Sequence, residues 1–145
     1  MRLTLQRVSS AICRVQQQIT GQIEQGLLIF VGFTAGDESD KLPLAVRKSL
    51  ELRIFPDEQG KLNKSLIDIG GSVLLISQFT LYANCSRGRR PDFTKAAEPE
   101  LAKRLYLELV HLFRESKVNT QTGIFAADMQ VTLVNEGPIT INLEW

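Results

Sequence analysis

Gly70-Gly71-Ser72-Val73-Leu74-Leu75-Ile76-Ser77-Gln78-Phe79-Thr80-Leu81 is the most strand-like stretch of the chain. Val73 to Ile76 is apolar at every position, which predicts a strand buried on both faces. Polarity changes at its end, where Ser77, Gln78 and Thr80 follow. A hydroxyl or amide buried without a partner costs about 1–3 kcal/mol. Strand alternation puts Gln78 and Thr80 on one face and Ser77, Phe79 and Leu81 on the other. Either a ligand meets these groups or the strand simply emerges into solvent. The segment alone leaves both readings open.

Upstream, Gly26-Leu27-Leu28-Ile29-Phe30-Val31-Gly32 reads as another buried strand, an apolar run bounded by glycines. A helix is predicted over residues 39–53, capped by Asp37 or Ser39, with Pro43 in its first turn. Leu42, Val46, Leu50 and Ile54 recur at four-residue spacing and form its buried stripe. Residues 2–19 read as a hairpin, with Leu3 and Leu5 in the first arm, Ile12 and Val15 in the second, and a turn at Thr20-Gly21. Pro56 to Gly60 is turn chemistry.

Downstream, a loose basic loop spans residues 83–95, and Pro99 starts a helix to about Ser116, with Leu101, Leu105, Leu109, Leu112 and Phe113 on one side. A strand is predicted at 125–134, a sharp break at Asn135-Glu136-Gly137-Pro138, and a last strand at 139–143. The sum is one α/β domain over residues 1–145, with about seven strands and two main helices.

Composition narrows the chemistry. Of 145 residues, 43% are hydrophobic and 23% charged, ordinary for a soluble domain. No run approaches the roughly 20 apolar residues of a membrane span. The start alternates polar and apolar, unlike a signal peptide, so a cytosolic protein is expected. Cys13 and Cys85 form no CxxC pair and have no nearby histidine, so neither a disulfide framework nor a metal site is expected. His111 is the only histidine and falls on the polar side of its helix, so no Ser-His-Asp or Cys-His arrangement is available. Dinucleotide, P-loop and zinc-protease motifs are absent. Catalysis here would use hydroxyls, amides, backbone groups or the substrate itself, without a cofactor. The net charge of +1 announces no nucleic acid, yet Arg87, Arg89, Arg90 and Lys95 cluster against Asp92 alone. Such a run serves as a solvated loop or as a phosphate site.

The polar end of the central strand and the break near the end of the chain together resemble the D-aminoacyl-tRNA deacylase family, in its widespread bacterial and eukaryotic form. That family carries Ser-Gln-x-x-Leu and Asn-x-Gly-Pro-x-Thr motifs. Here they stand as Ser77-Gln78-Phe79-Thr80-Leu81 and Asn135-Glu136-Gly137-Pro138-Ile139-Thr140. Gln6-Arg7-Val8, Gly26-Leu27-Leu28, Leu52-Arg53-Ile54-Phe55, Gly60-Lys61-Leu62-Asn63, Arg90-Pro91-Asp92-Phe93 and Thr122-Gly123-Ile124-Phe125 support the resemblance in order along the chain. Departures fall at Asn84-Cys85, Asp92 and Glu136, outside the core motif positions.

The resemblance implies an α/β/β layered homodimer with a cross-subunit site. Ser77, Gln78, Phe79 and Thr80 would line the catalytic pocket, with Leu81, Asn135, Thr140 and Arg7 as motif support. Arg7 would hold the Gly137-Pro138 loop, whose cis peptide would enter the partner's pocket and reject L-aminoacyl groups. D-aminoacyl esters would be cleaved, and so would glycyl esters such as glycyl-tRNA mischarged on tRNA-Ala. Arg87, Arg89, Arg90 and Lys95 would meet tRNA. Two other readings remain: an ester or thioester hydrolase with a Thr80 or Cys85 nucleophile, and a non-catalytic RNA-binding module using the 87–95 loop.

Overall fold

A computed structural model describes residues 1–145. In chain order it has β1 (Arg2–Val15), β2 (Gln18–Ile23), β3 (Gly26–Gly32), α1 (Leu42–Glu51), β4 (Phe55–Pro56) and β5 (Leu62–Lys64). These are followed by β6 (Ser72–Ser77), α2 (Pro99–Glu115), β7 (Thr120–Thr122) and β8 (Gln130–Glu144). Short 3-10 turns cover Ser39–Lys41 and Phe79–Tyr82.

The apolar run of β6 lies between two parallel neighbours, β3 and β7. Parallel neighbours require crossovers, which α1 and α2 supply. Both helices cover the same face, where Leu27, Ile29, Val73 and Leu75 pack against Val46, Leu50, Leu105, Leu109 and Phe113. Leu28, Leu74 and Ile76 point the other way, into a second core with Val8, Ala11, Cys13 and Ile23. The prediction that β6 is buried on both faces therefore holds, and it explains the absence of alternation in its sequence.

Strand β1 feeds both cores because it bends. Leu3 and Leu5 face the helices, whereas Val8, Ala11 and Cys13 face the second core. The change coincides with register shifts between Gln6 and Val8 and between Val8 and Ser10. Bulges of this kind kink a strand and raise its twist. Before the bend β1 pairs with β3, after it with β2, and β8 follows β1 along both halves. The bent ribbon forms the second sheet layer of an α/β/β domain. Gly21 lets β2 close toward β7, since a Cβ there would lie 2.7 Å from the Thr122 carbonyl oxygen.

Several boundaries differ from the sequence reading. Ile12 and Val15 belong to the first arm of the hairpin, because the chain reverses at Gln16-Gln17 and Thr20-Gly21 lies inside β2. Both glutamines have positive φ, +48 and +67, the mirror-image turn that suits strand twist. That turn usually announces itself with Asn or Gly, and here it does not. Asp37 does not cap α1. Its carboxylate meets the Met1 ammonium at 2.6 Å and accepts from the Thr34 amide at 2.8 Å. Ser39 donates instead to Glu108. The two strands predicted at 125–134 and 139–143 are one strand, β8, interrupted by a bulge. The turn expected over Pro56–Gly60 starts one residue later, at Asp57, because Pro56 ends the very short β4 and pairs with Leu62 of β5.

Candidate active site

Strand β6 stops at Ser77 because its neighbours leave it. The last residue pair with β3 is Val31↔Ser77, and the pairing with β7 ends at Leu75↔Thr122. One further bond, from the Gln78 amide to the Val31 carbonyl at 2.7 Å, ends the ladder. The chain then enters the turn Phe79–Tyr82. The predicted strand through Leu81 is thus four residues too long at its end, 78–81, and the two-face alternation does not apply there. The first bond of the turn runs from the Leu81 amide to the Gln78 carbonyl at 3.3 Å. The amides of Phe79 and Thr80 precede that bond, so the turn leaves them without partners of its own. Gln78 and Thr80 still meet, the Gln78 Nε2 donating to the Thr80 hydroxyl at 2.5 Å. Ser77 and Gln78 are half-buried, and Phe79 and Thr80 are exposed.

Arg2 holds the far end of the turn. Its Nη1 donates to the Leu81 carbonyl at 2.9 Å, and its guanidinium lies 4.6 Å from the Tyr82 ring centre. Glu144, at the end of β8, pairs with the same guanidinium at 3.0 Å. Burial, reinforced by the Asp37 charge, pushes the Tyr82 phenol up to about 12, so it stays neutral beneath Arg2. Sequence reasoning missed Arg2, because a lone cation in a strand carries no local sign of its distant partners.

Ser77, Gln78 and Phe79 line an open, mostly apolar cavity of about 520 Å³. Val31, Phe33 and Ile76 line it as well, and further lining comes from the start of α2, from Ala96–Ala97 and from Phe125–Met129. The latter segment was expected to be strand. It is a loop, with Ala126 at φ +61, and β8 starts only at Gln130. Its ring anchor is Phe125, packed 5.8 Å from Tyr106, which in turn donates to the Leu75 carbonyl.

The Asn-x-Gly-Pro-x-Thr motif builds a projection. Gln6 pairs with Thr140 and Val8 with Asn135, so Glu136, Gly137, Pro138 and Ile139 all stand opposite Arg7. The Gly137-Pro138 peptide is cis, Gly137 has φ +108, and both residues are exposed. The neck is tied tightly. With its amide oriented to match its neighbours, Asn135 donates to the carbonyls of Ile139 and Arg7 at 3.1 and 3.0 Å. It accepts from Gln6 Nε2 and from the Thr140 hydroxyl at 3.0 and 3.1 Å. Arg7, only 8% exposed, donates from Nη1 to the Ile54 carbonyl at 2.6 Å and has no carboxylate partner. Its Nη2 would lie 2.9 Å from a Cβ at Gly137. None of Arg7, Asn135, Gly137, Pro138 or Thr140 lines the cavity.

The basic segment is a closed hairpin loop. Asn84 and Asp92 exchange backbone bonds of 2.7 and 3.0 Å, and Asp92 also caps Thr94 through its amide and hydroxyl. Arg87, Arg89, Arg90 and Lys95 are exposed and form no ion pair. Cys85 is exposed outside the cavity lining, and His111 pairs with Glu115 on the surface of α2.

These features define an α/β/β domain that offers a ligand an apolar recess and backbone amides, with no histidine beside a nucleophile. The chain belongs to the D-Tyr-tRNA(Tyr) deacylase family, whose model matches residues 4–144. It is 50% identical over 144 residues to a D-aminoacyl-tRNA deacylase of Clostridioides difficile (strain 630), covering 99% of this chain and 97% of that protein. It is 48% identical, with the same coverage, to a D-aminoacyl-tRNA deacylase of Fervidobacterium nodosum. A solved structure described as c-Myc DNA Unwinding Element Binding Protein superposes with a TM-score of 0.93 at 36% identity, covering 100% of this chain and 99% of that one. A probable eukaryotic D-amino acid tRNA deacylase shares the fold, with a TM-score of 0.83 at 19% identity, covering 98% of this chain and 97% of that one. No helix is long and apolar enough to cross a membrane.

Proposed function

We propose that this chain hydrolyses the ester of D-aminoacyl-tRNA in the cytosol, releasing tRNA and the D-amino acid. The observation that carries the proposal is the pair of amides at Phe79 and Thr80, left over by the turn beside the cavity. Water attacks the ester carbonyl carbon, and the carbonyl oxygen gains charge in the tetrahedral intermediate. The two N–H groups donate to that oxygen, and donors already aimed at the developing charge stabilise the transition state without reorganising. The bond to the ribose oxygen then breaks, and the ribose hydroxyl leaves with a proton. The neighbouring ribose 2′-hydroxyl positions the water, so no histidine is needed. Thr80 serves through its backbone, because its hydroxyl accepts from Gln78 Nε2 and donates to no base that could take its proton.

Chirality is read by a second copy of the chain. The projection at Gly137-Pro138 does not line the recess beside Ser77 in its own chain and is pinned at its neck. In a homodimer it enters the partner's recess and presents backbone where an L side chain would lie. A D side chain points away from it, and glycine has nothing to clash, so glycyl-tRNA is also cleaved. Arg87, Arg89, Arg90 and Lys95 hold tRNA phosphates.

The unpaired basic hairpin equally suits a nucleic-acid module without catalysis. Incubation with D- and L-aminoacyl-tRNA separates the two readings. Fast release of D-amino acids alone supports the deacylase. Tight tRNA binding without release supports the module.

A further inference from the structure

We infer that Phe79 and Phe93 form a stacking platform for the unpaired base that precedes the terminal nucleotide of the substrate RNA. The inference rests on the deacylase reading and adds a binding site to it. Phe79 is 57% exposed, unusual for a large apolar ring beside a recess. Its only aromatic neighbour is Phe93, with ring centres 5.0 Å apart and planes at 64°. An edge-to-face pair engages one face of one ring, and with Phe79 exposed and Phe93 half-buried the pair still presents ring surface to solvent.

Position decides what covers them. Phe79 lines the cavity that receives the reacting end. Phe93 directly follows Asp92, which closes the hairpin carrying Arg87, Arg89 and Arg90. The aromatic pair therefore bridges the recess and a cluster of cations that have no acidic partners. An apolar protein partner would have to bury those cations without compensation. A single-stranded nucleotide satisfies both features, its base stacking on an aromatic ring and its phosphate meeting arginine. Stacking tolerates any base, so the platform reads the single-stranded character of the RNA end and not its sequence.

The test uses Phe93, which lies outside the cavity lining. Wild type, Phe93→Ala and Phe93→Tyr are compared on D-aminoacyl-tRNA, on an aminoacylated trinucleotide with the same unpaired 3′ end, and on D-aminoacyl-adenosine. Phe93→Ala should raise KM about 5- to 150-fold on the first two substrates, the range of one lost base stack. Its KM on the adenosine ester, which has no preceding base, should stay unchanged, showing an intact fold and site. Phe93→Tyr should behave as wild type. Equal losses on all three substrates, or no loss on any, overturn the platform. So does an altered oligomeric state in light scattering, which would make the pair an interface between copies. If wild type cleaves none of the substrates, the deacylase reading fails, and the platform is read by binding alone. Trimming the unpaired 3′ end from uncharged tRNA should then weaken binding to wild type but not to Phe93→Ala. Equal weakening in both overturns it.

Discussion

The turn at Phe79–Tyr82 and the bulge at Glu136–Ile139 both interrupt a strand, and they are held in opposite ways. The turn is anchored at its far end, where Arg2 binds the Leu81 carbonyl, and its leading amides are unengaged. The bulge is anchored at its base by Asn135, with the Arg7 guanidinium close to Gly137, and its tip is exposed. One is a recess with donors waiting, the other a projection with its backbone fixed. The difference teaches that the two motifs are built independently and do not share the recess within one chain. Under the proposed assembly, the bulge of one copy completes the recess of another.

The comparison breaks hardest if the turn does not act through its backbone. Replacing Thr80 by its α-hydroxy analogue exchanges the amide N–H for an ester oxygen and keeps the side chain. The proposed mechanism expects kcat to fall about 100- to 1000-fold, as for loss of one oxyanion donor. Full activity of the folded ester variant would remove the turn from the chemistry.

Gly137→Ala tests the bulge. A φ of +108 is hostile to any side chain, and the new Cβ would crowd Arg7 Nη2 at 2.9 Å. Arg7 has little room to yield, being buried and bound to Ile54. A shift of about 1 Å in a positioning element can cost about 100-fold. The ratio of D- to L-aminoacyl-tRNA cleavage should drop by about that factor in single-turnover assays. An unchanged ratio in a folded variant assigns chiral selection elsewhere.

How each region was legible in the sequence follows from the same contrast. Both motifs could be located: Ser77-Gln78 ends an unbroken apolar run, Gly137-Pro138 interrupts an alternating one, and the family resemblance singled out both. Their shapes could not. The turn at 79–82 arises because β3 and β7 run out beside β6, a tertiary fact with no local sign. The bulge was read as a break between two strands, since Gly-Pro ends strands more often than it interrupts them, and only the register against β1 shows the continuity. The buried stripe of Leu42, Val46 and Leu50 was read correctly because helical burial repeats locally, but α1 ends at Glu51, short of the expected 53, and Ile54 is buried from the segment beyond it. The wall at Phe125–Met129 was misread because its apolar residues face a cavity and not a sheet.

A smaller effect is expected at the basic hairpin, which extends the recess. Changing Arg87, Arg89 and Arg90 together to Ala should flatten the salt dependence of tRNA binding by about 2 in logarithmic slope, from roughly 0.7 per single-strand phosphate contact. Filter binding between low and physiological salt measures it, and an unchanged slope marks a solvated loop. Arg7→Met should mainly cost stability, about 1–3 kcal/mol in urea unfolding, because the Ile54 carbonyl loses its buried donor. A selectivity ratio that stays normal in this variant would leave Asn135 as the only clamp on the bulge.

The smallest effect should come from Thr80→Ala, and its smallness is informative. Thr80 is exposed, and its hydroxyl has one partner, Gln78 Nε2. Water replaces an exposed partner readily, so the net cost of that bond is near the low end of about 0.5–1.5 kcal/mol. The Ala variant keeps the residue-80 amide and the bond from Leu81 to Gln78 that shapes the turn. A fall in kcat of no more than about 3-fold is therefore expected. A nucleophilic hydroxyl predicts the opposite, since its removal abolishes any covalent route. Thr80→Ser separates the remaining cases: it matches wild type and Ala if the backbone acts, and it alone rescues a dead Ala variant if the hydroxyl attacks. In the second case the turn would work through its side chain, and its contrast with the backbone-built bulge would narrow to one of position alone.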